Sequence, residues 1–309
     1  MSLKNKLSTE RDGRQLISDV GTRISRYMAP KIELYHGERL AQFGFLALFV
    51  FVLLGLFGPE LAPYDPSVTH RSDAGATLRI AEPSADHWLG TTNTGKDVLS
   101  HLIHGARVSV TVGFFAAFIA VFVGTNVALI SAYYGGIVDD ILMRITDIVY
   151  GLPFIPFVLT LVYILGPDIQ NIIIGTAAVM WRSSARSIRS EVLSQRERPY
   201  VESAQAIGAS DARIIYRHIF PNVLPLTVLY MAFAVAYAVI AEASIAFLGF
   251  GDPELYSWGT MIFQAYTVGA IRFAWWWVIP PGVCIMVFVM SVFFIGRTLE
   301  EYTNPELRH

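Results

Sequence analysis

The stretch VLPLTVLYMAFAVAYAVIAEASIAFL, residues 223–248, holds one charged side chain, Glu242, in 26 positions. A helix needs about 20 predominantly apolar residues to cross the hydrocarbon of a bilayer. A helix also satisfies its backbone groups within the segment, as lipid requires. Four further runs have the same character, at 41–61, 108–133, 141–165 and 278–295. A transmembrane barrel would instead show short alternating strands. The 309-residue chain is 54% hydrophobic and only 16% charged, with a mean hydropathy of +0.48. Soluble domains average about 25% charged residues. Such a chain cannot cover itself with polar groups in water, so lipid must solvate much of it. The formal net charge of −2 points to no nucleic-acid partner. The single cysteine, Cys284, lies inside an apolar run and forms no intrachain disulfide.

A sixth, weaker span is expected at 169–181, short and followed by Arg182, Arg186 and Arg189. Topology argues for keeping it. With six spans and both termini inside, 18 Lys and Arg fall on the inner side and 5 on the outer. Cytoplasmic loops carry such an excess. Without the weak span, the loop with seven arginines would lie outside. The expected fold is therefore all-α, a polytopic bundle of six transmembrane helices. Its parts are a cytoplasmic segment 1–40, a first span 41–61, an extracytoplasmic loop 62–107, a core 108–296 and a cytoplasmic tail 297–309.

The first 40 residues are too charged and too long for a secretory signal peptide, so the run 41–61 is expected to stay as an anchor. Within them Leu16, Ile17, Val20, Ile24, Tyr27 and Met28 recur at helical spacing, with Arg14, Arg23 and Arg26 interleaved. Two readings stand: an amphipathic helix on the inner membrane face, or a partly disordered tail. The cluster Trp275-Trp276-Trp277 reads as an interfacial anchor at the outer end of the last span.

Gly90-Thr-Thr-Asn-Thr-Gly95-Lys96-Asp97 nearly matches a phosphate-binding loop. That motif needs a hydroxyl for Mg²⁺ where Asp97 stands. A carboxylate there repels phosphates. The structural reading is a polar entry to a short helix with Leu99, Leu102 and Ile103 as its apolar face.

The most informative loop lies within 190–222, from Pro199-Tyr-Val201-Glu202-Ser-Ala204-Gln-Ala-Ile207-Gly208 through Ser210 to His218-Ile219-Phe220-Pro221. Pro199 suits a first helical turn. Gly208 suits a helix end, where left-handed backbone costs it little. Ser210 is an N-cap for a second short helix, and Pro221 stops it. Val201, Ala204 and Ile207 make a narrow apolar stripe. A helix this short does not stabilise itself, so the stripe seeks either a groove in another protein or the chain's own bundle.

This loop resembles the cytoplasmic E-A-A…G…I-x-L-P loop of permease subunits in binding-protein-dependent ABC importers. Glu202, Ala204, Gly208 and Pro221 match. Ser203 replaces the second Ala, His218 takes the usual Ile position with Ile219 one residue on, and Phe220 replaces Leu. The form Arg217-His218-Ile219-x-Pro221-Asn222 is similar to the dipeptide/oligopeptide/nickel branch. So, in order, are Leu89-Gly90-Thr91…Gly105-Ala106-Arg107, Tyr133-Tyr134-Gly135-Gly136…Pro153, Glu242-Ala243-Ser244…Ser257-Trp258-Gly259 and Trp276-Trp277…Pro280-Pro281-Gly282. The resemblance covers about 85–309; the segment before residue 40 is outside it.

The resemblance implies a non-catalytic transport subunit of the cell membrane. It pairs with a second homologous permease. Two cytoplasmic ATPase subunits dock on the loops, and an extracytoplasmic solute-binding protein delivers solute. It implies no cofactor in this chain, ATP and Mg²⁺ being held by the ATPases. Val201, Glu202, Ala204, Ile207, Gly208, Ile219 and Pro221 would form the ATPase-coupling loop. Members of the branch are linked with peptides, nickel or oligosaccharides. A secondary transporter or channel is the competing class, and would predict inverted repeats or several buried carboxylates. Glu242 would sit at the solute path or gate, or bond a neighbouring helix. Arg144 and Asp147, three apart, are expected to pair on one helix face.

Overall fold

The computed structural model describes residues 39–303. The amphipathic pattern at 14–30 and the end of the tail lie outside the described residues. Contacts divide the chain between Phe43 and Gly44, inside its first described helix, and the body described below is the unit from Gly44 on. Its elements are α-helical: α1 (Arg39–Leu61), α2 (Val98–Tyr134), α3 (Gly136–Gly151), α4 (Phe154–Leu165), α5 (Ile169–Arg196), α6 (Pro199–Ala206), α7 (Asp211–Arg213), α8 (Phe220–Ile245), α9 (Trp258–Thr267) and α10 (Trp275–Thr303). Two π-helical stretches, Ile214–Ile219 and Ala246–Phe250, flank α8. Among the described residues the only β pairing is two isolated bridges.

Four helical stretches are long and apolar enough to cross a membrane: Arg39–Leu61, Val98–Tyr134, Asp211–Phe250 and Trp275–Glu300. The expected third span, 141–165, is not one straight helix. It breaks into α3 and α4, bent by 87°. The cause is local. Pro153 disfavours helical backbone at the residue before it, and Leu152 sits at φ −79°, ψ 124°. The pair makes at most a fifth span. α5 has 28 residues but is apolar only in its first half. It is continuous well past Trp181, so the expected sixth span is the first half of a longer helix.

α2 is the centre of the bundle. Asp97 starts it, accepting from Ser100 N at 2.8 Å and from Ser100 Oγ at 2.8 Å. The helix then runs without interruption to Gly135. The expected short helix at Leu99–Ile103 is simply its first turns, because no breaker separates them from the span. Its buried side is small: Gly105, Ser109, Gly113, Ala117, Ala120, Gly124 and Ala128. Without water to drive association, helices in lipid gain from close approach over small residues. α2 uses this stripe against α5 and α8.

A row of arginines along α5 holds the broken pair. Arg182 Nη1 donates to the carbonyls of Val149, which also accepts from Leu152 N at 3.2 Å, and of Leu152, at the break. Its guanidinium, and that of Arg186, stack over the Tyr150 ring at 4.9 and 4.4 Å. Arg186 pairs with Asp147. Arg189 grips Asp139 with two bonds, Nε to Oδ1 at 2.7 Å. The expected pairing along α3 is therefore replaced: Asp147 turns to Arg186 across the helix gap, and Arg144 is exposed. Arg186 is held over the Tyr150 ring and so is already placed to meet Asp147, whereas the exposed Arg144 has no such support.

Residues 62–97 form a lobe without regular structure. It packs on the Trp258 end of the bundle. Lys96 Nζ donates to Tyr256 Oη at 2.9 Å, and His101 stacks on the same ring at 3.9 Å. Gly90, at φ +62°, lies under Trp276, where a Cβ would strike the Ala81 carbonyl. Trp276 and Trp277 are thus core residues, and only Trp275 of the three is exposed. The interfacial reading is left to Trp275 alone, because the other two are buried.

Candidate functional site

The loop between α5 and α8 is built from the chain's own packing. Pro199 opens α6 as expected. Val201 and Ala204 are buried, in one cluster with Tyr133, Ile188, Val192, Ile214, Ile215 and Ile219. The apolar stripe therefore divides. Val201, Ala204 and Ile219 face inward and are not available to fill a groove elsewhere. Ile207 is 85% exposed, and Glu202, Gln205 and Gly208 are exposed beside it. Burying a valine side chain contributes about 1.5–3 kcal/mol, which is what fixes an eight-residue helix that would otherwise melt.

Gly208 ends α6 at φ +77°, and a Cβ there meets no atom within 4 Å. Its constraint is purely backbone: a non-glycine costs about 1 kcal/mol in the left-handed region. Ala209 N closes the turn onto Ala204 O at 3.0 Å. Ser210 precedes α7 but makes no side-chain cap bond. Pro221 does not stop the second helix. α7, the π-helical stretch and α8 run on as one rod from Asp211. The π-helical turn explains the difference: Phe220 N–H reaches back to Ile215 O, a wider turn that admits a proline ring where an α-turn would clash.

Polar ties that the sequence did not signal complete the loop. Tyr133 Oη donates to Asp211 Oδ1 at 2.8 Å, joining the end of α2 to α7. Tyr200 Oη donates to Gln195 Oε1 at 3.0 Å and accepts from Asn222 Nδ2 at 3.3 Å. Arg196 Nη1 donates to Ala132 O at 3.0 Å. A displacement of α6 would thus be carried into α2, α5 and α8 together.

At the other end of the bundle Glu242 is buried, 2% exposed. Ser109 Oγ donates to its Oε2 at 3.1 Å and accepts from Trp258 N at 3.4 Å. The carboxylate therefore links α8 and α2 to the first residue of α9. It borders a cavity of about 10 Å³, lined also by Val112, Ile172, Asp252 and Ser257, room for about one water. Nearby, His87 Nδ1 bonds Asp97 Oδ1 at 3.0 Å. The His70 ring lies 4.5 Å from that of His87, and burial, with His87 beside it, pushes His70 below the ordinary histidine pKa. Asp97 is committed to His87 and to the start of α2. The segment 90–97 is a helix entry, as its carboxylate suggested. Among the described residues no group of three His, Cys, Asp or Glu could hold a metal ion.

Comparison with known proteins adds independent findings. Residues 120–304 match the family described as binding-protein-dependent transport system inner membrane component. The chain is 35% identical over 272 residues to the dipeptide transport system permease protein DppC of Alkalihalophilus pseudofirmus, covering 88% of this chain and 87% of that one. It is 32% identical to the oligopeptide transport system permease protein OppC of Bacillus subtilis, over 89% of this chain and 88% of that one. It is 32% identical to the glutathione transport system permease protein GsiD of Pectobacterium atrosepticum, over 84% and 86%. An inward-facing structure of the MetNI methionine ABC transporter matches with a TM-score of 0.53 at 20% identity, over 65% of this chain and 95% of its own. That likeness is one of fold.

Proposed function

The chain belongs to the binding-protein-dependent transport system inner membrane components, the permeases of ABC importers, and from that premise we propose that its solutes are di- and oligopeptides. The observation that carries the solute class is the set of relatives, similar over nearly nine-tenths of the chain and named for dipeptide, oligopeptide and glutathione transport. In this reading the loop end of the bundle and both termini are cytoplasmic, in keeping with the Lys and Arg excess on that side. α5 supplies the sixth span with its apolar first half, and its arginine half continues beside α3. ATP hydrolysis lies on two partner ATPases. A second permease completes the channel, and a binding protein docks on the opposite side. Ile207, Glu202 and Gly208 form the surface the ATPase moves, while Val201, Ala204, Ile219 and Pro221 transmit that motion inward.

The test is purification of the chain from its native membrane with a mild detergent. The expected result is recovery of a stoichiometric ABC ATPase and stimulation of ATP hydrolysis by a peptide-loaded cognate binding protein. Recovery without an ATPase would remove the importer reading. A binding protein that takes nickel or an oligosaccharide, and no peptide, would overturn the peptide assignment alone.

Glu242 has the position of a gate element. It ties the start of α9 to two spans through Ser109, so its bond must lengthen if the Trp258 end opens. Gln keeps the volume but weakens a charge-assisted bond by about 1–2 kcal/mol. Glu242→Gln is expected to lower uptake roughly tenfold and to raise ATP hydrolysis in the absence of solute. If both quantities match the parent complex, Glu242 is only a structural tie.

A further inference from the structure

The exposed faces of the spans are not alike. On α2 the exposed residues at 114, 115, 118, 119, 122 and 123 are all phenylalanine, isoleucine or valine. On α10 the exposed row is Ile279, Val283, Met286, Met290 and Phe293. Both rows suit lipid. On α8 the corresponding row includes Tyr237, 50% exposed, with the half-buried Ser244 about two turns farther on. On the neighbouring α4 it includes Pro156 and Thr160.

Ser244 and Thr160 bond carbonyls of their own helices, at 2.7 and 2.8 Å, as hydroxyls facing lipid do. Tyr237 cannot. Its phenol oxygen stands too far from the backbone, and it has no hydrogen-bond partner among the described residues. Tyr237 lies about 25 Å along α8 from Phe220 and about 12 Å from Ile245, at 1.5 Å per residue. This is membrane depth, not the interfacial belt where tyrosine normally sits.

A second observation converges on the same place. The break between α3 and α4 leaves Gly151 and Pro153 exposed. The 12 residues of α4 beyond it span about 18 Å, less than the roughly 30 Å of hydrocarbon. The break is therefore also at membrane depth. Non-helical backbone there is tolerated only in protein or beside water. The guanidinium of Arg182 caps it, and a cation at that depth faces a hydrated or protein-filled space. Phe154, the first residue of α4, meets the Tyr237 ring at 5.4 Å.

We propose that the transported solute moves through water along the seam of α4 and α8, with Tyr237 and the backbone break at 151–153 lining its path. This rests on the permease reading. The two exposed faces carry hydroxyls and rings but no charge, since α4 has no Asp, Glu, Lys, Arg or His and the one such residue in α8, Glu242, is buried. Such a wall offers weak, tolerant contacts and suits solutes whose side chains vary.

The experiment uses the assembled complex in vesicles. Cys284→Ser first removes the single cysteine. ATP-driven uptake by this background tests the permease reading separately. Tyr237→Cys and Gly151→Cys are then compared with Phe118→Cys and Met290→Cys. Gly151 tolerates the change, since a Cβ there meets nothing within 4 Å. The probe is a membrane-impermeant quaternary-ammonium thiosulfonate, which reacts with hydrated thiolates. The expected result is modification of the two seam positions at least roughly tenfold faster than the two controls, slowed by excess peptide. Rates equal to the controls, with quenching by a lipid-soluble probe, would overturn the proposal in favour of a lipid face. So would silence to both probes with cross-linking to the second permease, which marks a dry subunit contact.

Discussion

Replacing Ile207 with Asp is expected to cut solute uptake at least roughly thirtyfold while the chain accumulates in the membrane at its usual level. Ile207 is the most exposed large apolar residue among the described residues, at 85%. It stands at the end of a helix whose other apolar residues anchor it firmly. Lipid does not explain it, because the exposed neighbours Glu202, Gln205 and Gly208 are polar or bare backbone. Seated in a groove of the ATPase, its side chain would contribute about 1.5–3 kcal/mol. An aspartate loses that and adds an unpaired buried charge. Glu202→Lys should act in the same direction through charge reversal. Gly208→Ala should be milder, since only about 1 kcal/mol of backbone strain is added. Val201→Asp is the contrasting control. It places a carboxylate in the chain's own core, so the protein itself should be lost. Uptake per assembled chain, with the amount of ATPase retained on purification, separates these outcomes. Normal uptake by Ile207→Asp would remove the loop from the coupling path.

This division of α6 marks how far the sequence could be read. Spans announce themselves because lipid admits no compromise: residues 223–248 can be little other than a buried or membrane helix. The charge asymmetry placed the loop, and the glycine and prolines marked its turns. What stayed hidden depends on partners distant in the chain. A stripe of three residues over two turns cannot say which of them face inward. That was decided by Ile188 and Val192 on the preceding helix and by Tyr133 on one far away in sequence. Asp147 chose Arg186 over Arg144 because α5 lies across the gap. Pro221 looked like a stop, and a π-helical turn made it a continuation. The break at Pro153 was legible in principle. The run Gly151-Leu-Pro153-Phe-Ile-Pro156 carries two prolines inside an apolar stretch, and length alone favoured one span. The same break, capped by Arg182, is where the proposed solute seam begins.

Gly124→Val should abolish accumulation of the folded chain, or lower it at least roughly tenfold, which no substitution on the exposed side of the loop does. Gly124 lies where α2 crosses α5. A Cβ on it would overlap Ser184 Oγ, and would lie 2.5 Å from the Trp181 carbonyl oxygen and 2.9 Å from Ala185 N. Two of these three are backbone atoms of α5, so no rotamer change relieves them. The Ser184 hydroxyl is also held, donating to Trp181 O at 3.0 Å. The helices must therefore separate. Inserting carbon into a packed core costs about 1–3 kcal/mol per step, and separation also forfeits the contact of small residues that binds helices in lipid. Gly113 offers a graded comparison. The nearest atom a Cβ meets there is a side-chain methyl of Val239 and not backbone, so Gly113→Ala should cost less than Gly124→Ala. Gly282, where a Cβ meets nothing within 4 Å, should tolerate alanine. The measurement is the amount of full-length chain in the membrane and the midpoint of its thermal aggregation in detergent. Parental values for Gly124→Val would mean that α2 and α5 do not approach so closely, and the arginine row along α5 would then lose the frame that aims it at α3.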